Sequence, residues 1–148
     1  MDELSPEAQL IGAVNTVLND NGKLIGYNTD GYGFMQSVRD AGHDITGKNI
    51  TVMGVGGASM AICAQSALDG AASVHIFARR TSRYWNRTQK FAENLSAKTG
   101  CQVCLFDNDD HTALRDSIAQ SYLLINATSV GMVPDIDDTI IKDTSLFR

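Results

Sequence analysis

Three glycines stand where an apolar strand pattern gives way to a helical one, in the segment NITVMGVGGASMAI. Unpaired N–H groups and the helix dipole at such a helix start attract anions, and side chains on the loop would block a close approach. The segment keeps the first two glycines of the dinucleotide fingerprint G-x-G-x-x-G and carries serine at the third. A glycine-rich turn without a ligand is the alternative. We predict a pyrophosphate-binding loop, made by Gly54, Val55, Gly56, Gly57, Ala58 and Ser59.

A basic turn follows the next strand pattern, in the segment VHIFARRTSR. Folds of this kind that prefer NAD carry an acidic residue about 20 positions past the glycines, where it holds the ribose 2′-hydroxyl. No acid stands there, which also argues against an S-adenosylmethionine site. Guanidinium groups suit a 2′-phosphate, so NADP is the predicted cofactor and NAD stays possible. The alternative is a solvated turn. The residues in question are Ala78, Arg79, Arg80, Thr81 and Arg83.

The elements that must position these residues alternate in a regular way. Strand patterns cover residues 50–55, 73–78, 102–106 and 122–126, and helical patterns cover 58–68, 84–98 and 110–120. Apolar, β-branched strands separated by helices predict βαβ units and a parallel sheet with helices on both faces. The fold class is therefore α/β, with a Rossmann-like sheet.

The first 46 residues follow another pattern. Ser5 and Pro6 predict the start of a short helix. Asn21-Gly22, between two alternating segments, predicts an antiparallel ribbon over residues 13–27. Asp30 is expected to cap a helix that ends near Gly42. A boundary near residue 47 thus separates the tail end of one unit from a nucleotide-binding unit, whose four strands suggest an incomplete sheet.

Composition excludes several classes of protein. The 148 residues carry a net charge of -5, which argues against a nucleic-acid partner. No apolar run reaches the roughly 18 residues that span a bilayer, and the acidic start is not a secretory signal, so we expect a cytoplasmic protein. Three cysteines form no disulfide framework, and a lone Cys101-x-x-Cys104 is a weak metal signal, so we predict no metal. A redox protein built on that pair is an alternative.

Four motifs occur in order along the chain: GAVNT at 12–16, GYNTDG at 26–31, GVGGAS at 54–59 and NATSVGM at 126–132. Together they resemble the shikimate dehydrogenase family, and the FARR segment is most similar to its quinate/shikimate branch. The resemblance implies reduction of 3-dehydroshikimate to shikimate with NADPH, or interconversion of dehydroquinate and quinate. It also implies that residues 1–46 are the C-terminal remnant of a substrate-binding domain, a β-ribbon plus linker helix, and that 47–148 form the NAD(P)-binding domain.

The same resemblance implies roles for single residues. Asn15 would bind substrate hydroxyls, and Asp30 would bind a ring hydroxyl and pair with a catalytic lysine. Asn126, Thr128 and Ser129 would line the nicotinamide end of the cofactor. Structural roles stay open for each: Asp30 as a helix cap, Asn15 as a polar ribbon residue, and Asn126 as a turn residue.

This sequence departs from the family pattern in one respect that bears on activity. The family's catalytic lysine lies upstream of GAVNT, and none of the five lysines here stands in that setting. We therefore expect a fragment that is inactive or weakly active and that self-associates through an exposed sheet edge. The alternative function is a non-catalytic NADP(H)-binding module. Preference between shikimate and quinate is open.

Overall fold

The computed structural model describes residues 1–147 of the chain. Seven strands, five α-helices and one 3₁₀ helix follow each other in these residues. In chain order they are β1 (Glu3–Leu4), α1 (Pro6–Ile11), β2 (Thr16–Asp20), β3 (Lys23–Tyr27), α2 (Asp30–Asp40), β4 (Asn49–Met53), α3 (Gly57–Leu68), β5 (Ser73–Ala78), α4 (Trp85–Thr99), β6 (Gln102–Asp107), α5 (His111–Gln120), β7 (Leu123–Asn126) and the 3₁₀ helix Thr144–Phe147.

Four parallel strands form the larger sheet, in the order β6-β5-β4-β7. Alternate residues of β4 face opposite cores: Ile50 and Val52 pack among α3 and α4, whereas Met53 packs with Leu114 of α5. A parallel sheet needs this cover on both faces because its strands are apolar on both sides. The predicted Rossmann-like α/β fold is therefore confirmed. From residue 49 onward, the observed boundaries of strands and helices lie within two residues of the predicted ones, whereas the ribbon was predicted from residue 13 and its first strand begins at Thr16.

The α5 face of the sheet contains a buried polar network. Thr51 Oγ1 lies 2.6 Å from Ser117 Oγ and also hydrogen-bonds Ser121 Oγ. The Ser117 hydroxyl lies 2.9 Å from Nδ1 of His75 on β5. Phe106 packs edge-on against the same imidazole ring. Because buried polar atoms need partners, these contacts fix α5 on the sheet.

The smaller sheet, β1-β3-β2, contains the predicted ribbon. β2 and β3 are antiparallel, and the turn between them uses positive φ angles at Asn21 (51°) and Gly22 (97°), as a tight hairpin requires. Sequence patterns did not predict β1, which pairs in parallel with β3. Two residues are too short for a periodic signal. Tertiary hydrogen bonds hold this strand, such as the one from Ser5 N to the Gly26 carbonyl (2.9 Å).

Two helix starts in this region turned out differently. Ser5 caps α1 as predicted, because its Oγ accepts from Ala8 N at 3.3 Å. Asp30 does not cap α2: the N-cap is Thr29, and Asp30 is the first helical residue. Its carboxylate accepts a hydrogen bond from Asn15 Nδ2 instead of a backbone N–H of the helix. The prediction of Asp30 as a cap is therefore wrong.

Helix α2 follows the smaller sheet in the chain and packs against α3, which covers one face of the larger sheet. At Gly31 the helices approach so closely that an added Cβ would collide with the carbonyl oxygen of Ala61. Met35 and Val38 extend this contact into the main core. The strands before residue 47 form one sheet and those after it form the other. The division into a substrate domain and a cofactor domain stays a prediction. None of the helices in residues 1–147 is both long and apolar enough to span a membrane.

Candidate functional site

The glycine loop connects β4 to α3, and its glycines differ in environment. Gly54 has a φ of 111°, and a Cβ there would lie 2.9 Å from both the Ala127 carbonyl oxygen and Thr128 Cγ2. The protein itself therefore requires glycine at this position. At Gly56 and Gly57 an added Cβ would meet nothing within 4 Å, and both residues are exposed. These two positions leave the start of α3 open to a ligand.

Ser59 occupies the third glycine position of the motif. Its hydroxyl donates to the Gly54 carbonyl at 2.6 Å, and the residue is 1% exposed. The side chain therefore closes the loop on itself and does not face solvent. Only the backbone N–H groups of the first turn of α3, at Gly57, Ala58 and Ser59, lack a helical acceptor and are free for an anion.

A cleft of about 890 Å³ opens at the carboxyl ends of the four parallel strands. We call it the sheet-end cleft. Its walls come from the glycine loop, from the basic turn after β5 and from the loop after β7. The lining residues are Gly54, Val55, Gly56, Phe77, Ala78, Arg79, Thr81, Ser82, Arg83, Tyr84, Asn108, Ala127, Thr128, Ser129, Val130 and Ile140.

The basic turn presents only part of its charge to this cleft. Arg79 and Arg83 line it, and the Arg83 guanidinium packs over the Tyr84 ring at 4.7 Å. Arg80 lies outside, because its guanidinium stacks on the Trp85 ring at 4.6 Å. Arg80 thus packs on α4, and its expected place beside the ribose stays a prediction. Thr81 lines the cleft as expected.

The loop after β7 forms the other end of the sheet-end cleft. Asn126 itself lies outside: its Oδ1 accepts from Thr128 N (3.0 Å) and Thr128 Oγ1 (2.7 Å), and its Nδ2 donates to the Val130 carbonyl. Asn126 therefore has the structural role that the sequence left open, which is to shape this turn. Thr128 and Ser129 line the cleft.

A second group of polar side chains lies where the ribbon meets α2. We call it the ribbon cluster: Asn15, Thr16, Thr29 and Asp30. Asn15 Nδ2 donates to Asp30 Oδ1 at 2.8 Å, and Asn15 Oδ1 accepts from Thr29 N (3.1 Å) and from both threonine hydroxyls. All four residues are exposed. The cluster brings Asn15 and Asp30 together, and the second carboxylate oxygen of Asp30 has no recorded partner within residues 1–147.

Sequence reasoning missed Thr16 and Thr29, although both lie inside the motifs GAVNT and GYNTDG. Each stands one position from a predicted residue, so the motifs contained the signal. It also missed Asn108, which follows β6 and lines the sheet-end cleft. No motif covers Asn108, and only the strand order brings it to the cleft.

Lysines and cysteines offer no competing site. Within residues 1–147, Lys23 pairs with Glu3 and Lys142 with Asp138, and no lysine forms a salt bridge with Asp30. Burial raises the pKa of the Cys101 thiol to about 11, so this thiol is protonated at neutral pH. All three cysteines are free, and residues 1–147 contain no cluster of three potential metal ligands.

A parallel sheet covered on both faces, with a glycine loop after a central strand and a cleft at the strand ends, defines a Rossmann-like α/β protein. Comparison with known proteins narrows this class. The chain is 48% identical over 148 residues to the NADP⁺ shikimate dehydrogenase of Listeria innocua, covering 100% of this chain and 50% of that protein. It is 40% identical to a quinate/shikimate dehydrogenase of Escherichia coli, of which it covers 51%.

Solved structures agree. A crystal structure of shikimate 5-dehydrogenase from Listeria monocytogenes, in complex with shikimate and NAD, superposes with a TM-score of 0.96 at 47% identity, over 100% of this chain and 51% of that one. No family model matches. The chain is a homologue of the shikimate and quinate/shikimate dehydrogenases, and it spans about half the length of the curated relatives it matches.

Proposed function

We propose that the chain contributes the cofactor-binding part and two substrate-binding side chains of an NADP-dependent oxidoreductase. Its substrate would be 3-dehydroshikimate, reduced to shikimate, or the dehydroquinate/quinate pair. The observation that supports this most directly is the sheet-end cleft, in which an open glycine loop and two arginines border one space. Relatives across the whole chain are dehydrogenases of these substrates by name.

The residues of the sheet-end cleft suit a dinucleotide in the order expected along the sheet. The free N–H groups at the start of α3 would hold the diphosphate, where Gly56 and Gly57 leave room for it. Arg79, Thr81 and Arg83 would hold the 2′-phosphate, because guanidinium groups bind phosphate oxygens in pairs. Thr128 and Ser129 would border the nicotinamide end.

The ribbon cluster suits a ring that carries several hydroxyl groups. Asp30 retains a carboxylate oxygen that accepts, and the Asn15 amide fixes its orientation at 2.8 Å. NADPH, when bound, supplies the hydride for reduction of the ketone. The chain's own residues then fix the ring near it, which lowers the entropic cost of reaction. Proton delivery to the developing alkoxide requires an acid, and the resemblance assigns it to a lysine beside Asp30.

The test is titration of the chain with NADP⁺ and NAD⁺, followed by fluorescence of its single tryptophan, Trp85. We expect tighter binding of NADP⁺. Arg79→Gln and Arg83→Gln should each weaken NADP⁺ binding about tenfold and leave NAD⁺ unchanged, since a charge-assisted pair contributes about 1.5–3 kcal/mol. Arg87→Gln is the matched control, because Arg87 is exposed on α4 outside the cleft. Equal binding of both cofactors would refute the assignment.

We also propose that the 148 residues by themselves turn over slowly or not at all. Asp30 lies with Asn15, and no lysine pairs with it in residues 1–147. An unpaired carboxylate orients hydroxyl groups but does not deliver the proton that the alkoxide needs at neutral pH. A steady-state rate close to that of a complete family member, with NADPH and dehydroshikimate, would contradict this.

The lack of a lysine at Asp30 within the described residues also favours a second candidate, a non-catalytic module that binds NADP(H). Both functions share the sheet-end cleft and differ in the ribbon cluster. Shikimate separates them: if the ribbon cluster binds substrate, Asp30→Asn weakens shikimate binding to the NADP⁺-loaded chain. A module that only binds the nucleotide gives no shikimate signal by calorimetry with either protein.

Self-association through a sheet edge is a further part of the proposal, together with a cytoplasmic location. β2 is an edge strand with every residue exposed, including Val17 (52%) and Leu18 (48%). An open edge with apolar side chains pairs readily with another chain. Light scattering over a concentration series should detect dimers or larger species, and Val17→Lys should reduce them. A monomer at high concentration would argue against the proposal.

A further inference from the structure

One amide oxygen beside the sheet-end cleft has no hydrogen-bond partner within residues 1–147. Oδ1 of Asn108 is the one buried side-chain oxygen or nitrogen atom in residues 1–147 without a hydrogen bond. The backbone N of Asn108 donates to the Ala78 carbonyl at 2.9 Å, so the residue is fixed beside the basic turn. Buried acceptors in proteins nearly always have a donor. A donor from outside the chain would complete this one.

The position of Asn108 along the sheet indicates which part of a ligand would supply it. The strand ends follow the order β7, β4, β5, β6, and they carry Thr128, the glycine loop, the basic turn and Asn108 respectively. A dinucleotide is also linear, from nicotinamide through diphosphate and ribose to adenine. Neighbouring strands lie about 4.8 Å apart, so Asn108 stands roughly 10 Å beyond the glycine loop, past the ribose position.

We propose that Asn108 recognises the adenine base of the cofactor through its carboxamide. This inference rests on the proposed function, namely that the sheet-end cleft binds NADP(H). An asparagine side chain pairs with adenine by accepting from the exocyclic amino group and donating to a ring nitrogen. The orphaned Oδ1 is the acceptor that this pairing needs. It makes no hydrogen bond within residues 1–147, so the proposal requires that the carboxamide rotate to turn this atom toward the cleft that Asn108 lines.

The ribose hydroxyls are the other donors within reach of this wall. They would give Asn108 a role in affinity but none in reading the base. Hypoxanthine separates the two cases. It replaces the adenine amino group with a carbonyl oxygen and leaves the ribose unchanged. A carboxamide that accepts from the amino group discriminates between the two bases, whereas one that contacts ribose does not.

The experiment measures binding of NADP⁺ and of its hypoxanthine analogue to the chain, to Asn108→Ala and to a control, Asn86→Ala. Asn86 is exposed on α4 and does not line the cleft. We expect the chain and the control to prefer NADP⁺ about tenfold, the value typical of a bidentate amide–base pair. In Asn108→Ala the preference should fall to about one, with an unchanged melting temperature.

Each other outcome has a definite meaning. If Asn108→Ala keeps the preference, or if the chain binds both nucleotides equally, adenine recognition by Asn108 is wrong while NADP binding stands. If the chain binds neither nucleotide, the proposed function fails and the inference fails with it. A loss of affinity for both nucleotides by the same factor in Asn108→Ala overturns base recognition in favour of the ribose contact.

Discussion

The sheet-end cleft and the ribbon cluster are built from different materials. The cleft is formed largely by backbone and by loops that follow buried strands, and Gly54 fits there only because it has no side chain. The ribbon cluster consists of four exposed side chains that hydrogen-bond one another. The comparison teaches that the cleft cannot change without affecting the stability of the fold. Residues of the ribbon cluster, in contrast, can be replaced at little cost to that stability.

Gly54→Ala should disrupt the sheet-end cleft because it destabilises the fold. The new Cβ would lie 2.9 Å from the Ala127 carbonyl oxygen, on a backbone with a φ of 111° that alanine avoids. We expect a loss of about 3 kcal/mol in the free energy of unfolding, from strain and displacement of the loop after β7. Urea denaturation measures it. A variant as stable as the parent chain would show that the cleft is not tied to the fold.

Gly56→Ala should separate binding from folding. Its added Cβ meets no atom within 4 Å, and its φ of -80° suits alanine, so stability should stay within about 1 kcal/mol. The methyl group would nevertheless occupy the approach to the free N–H groups of α3. We expect NADP⁺ binding to weaken about tenfold or more. Unchanged affinity would mean that the diphosphate lies elsewhere.

Asn15→Ala tests the opposite expectation for the ribbon cluster. It removes the donor to Asp30 and an acceptor for Thr29, all at exposed positions. Exchange with water should limit the loss of stability to about 1 kcal/mol. NADP⁺ affinity should not change. Asn94→Ala, on the exposed face of α4, is the matched control, and a loss as large as that of Gly54→Ala would erase the contrast between the two regions.

Much of this contrast could be predicted from the sequence, because local signals dominate it. Glycines, β-branched strands and Asn21-Gly22 act over a few residues, and they gave the sheets and the glycine loop correctly. Tertiary partners decided two orientations that the sequence could not indicate: Arg80 stacks on Trp85, and Asp30 bonds Asn15 instead of capping α2. Likewise, Asn108 lines the cleft because β6 lies next to β5 in the sheet, and no local sequence pattern indicates that order.

The smallest effect is expected at His75 on the α5 face, which lies in neither region. Burial lowers the pKa of His75 below its usual value. The unfolded chain then binds the proton first, so stability should fall as the pH drops through about 6.5 and level off below the folded-state pKa. Urea midpoints at pH 7.5 and 5.5 should differ more for the parent chain than for His75→Gln. Equal differences would contradict a half-buried His75 whose pKa is lowered by the fold.

The missing side chain at Gly31 has a consequence for motion. Helix α2 rests directly on the backbone of α3 at Ala61, only a few residues after the glycine loop. Two helices whose backbones approach this closely have no room to hinge against each other at this point. Helices α2 and α3 are therefore expected to move together, so bending that changes the distance between the ribbon cluster and the sheet-end cleft has to take place outside this contact.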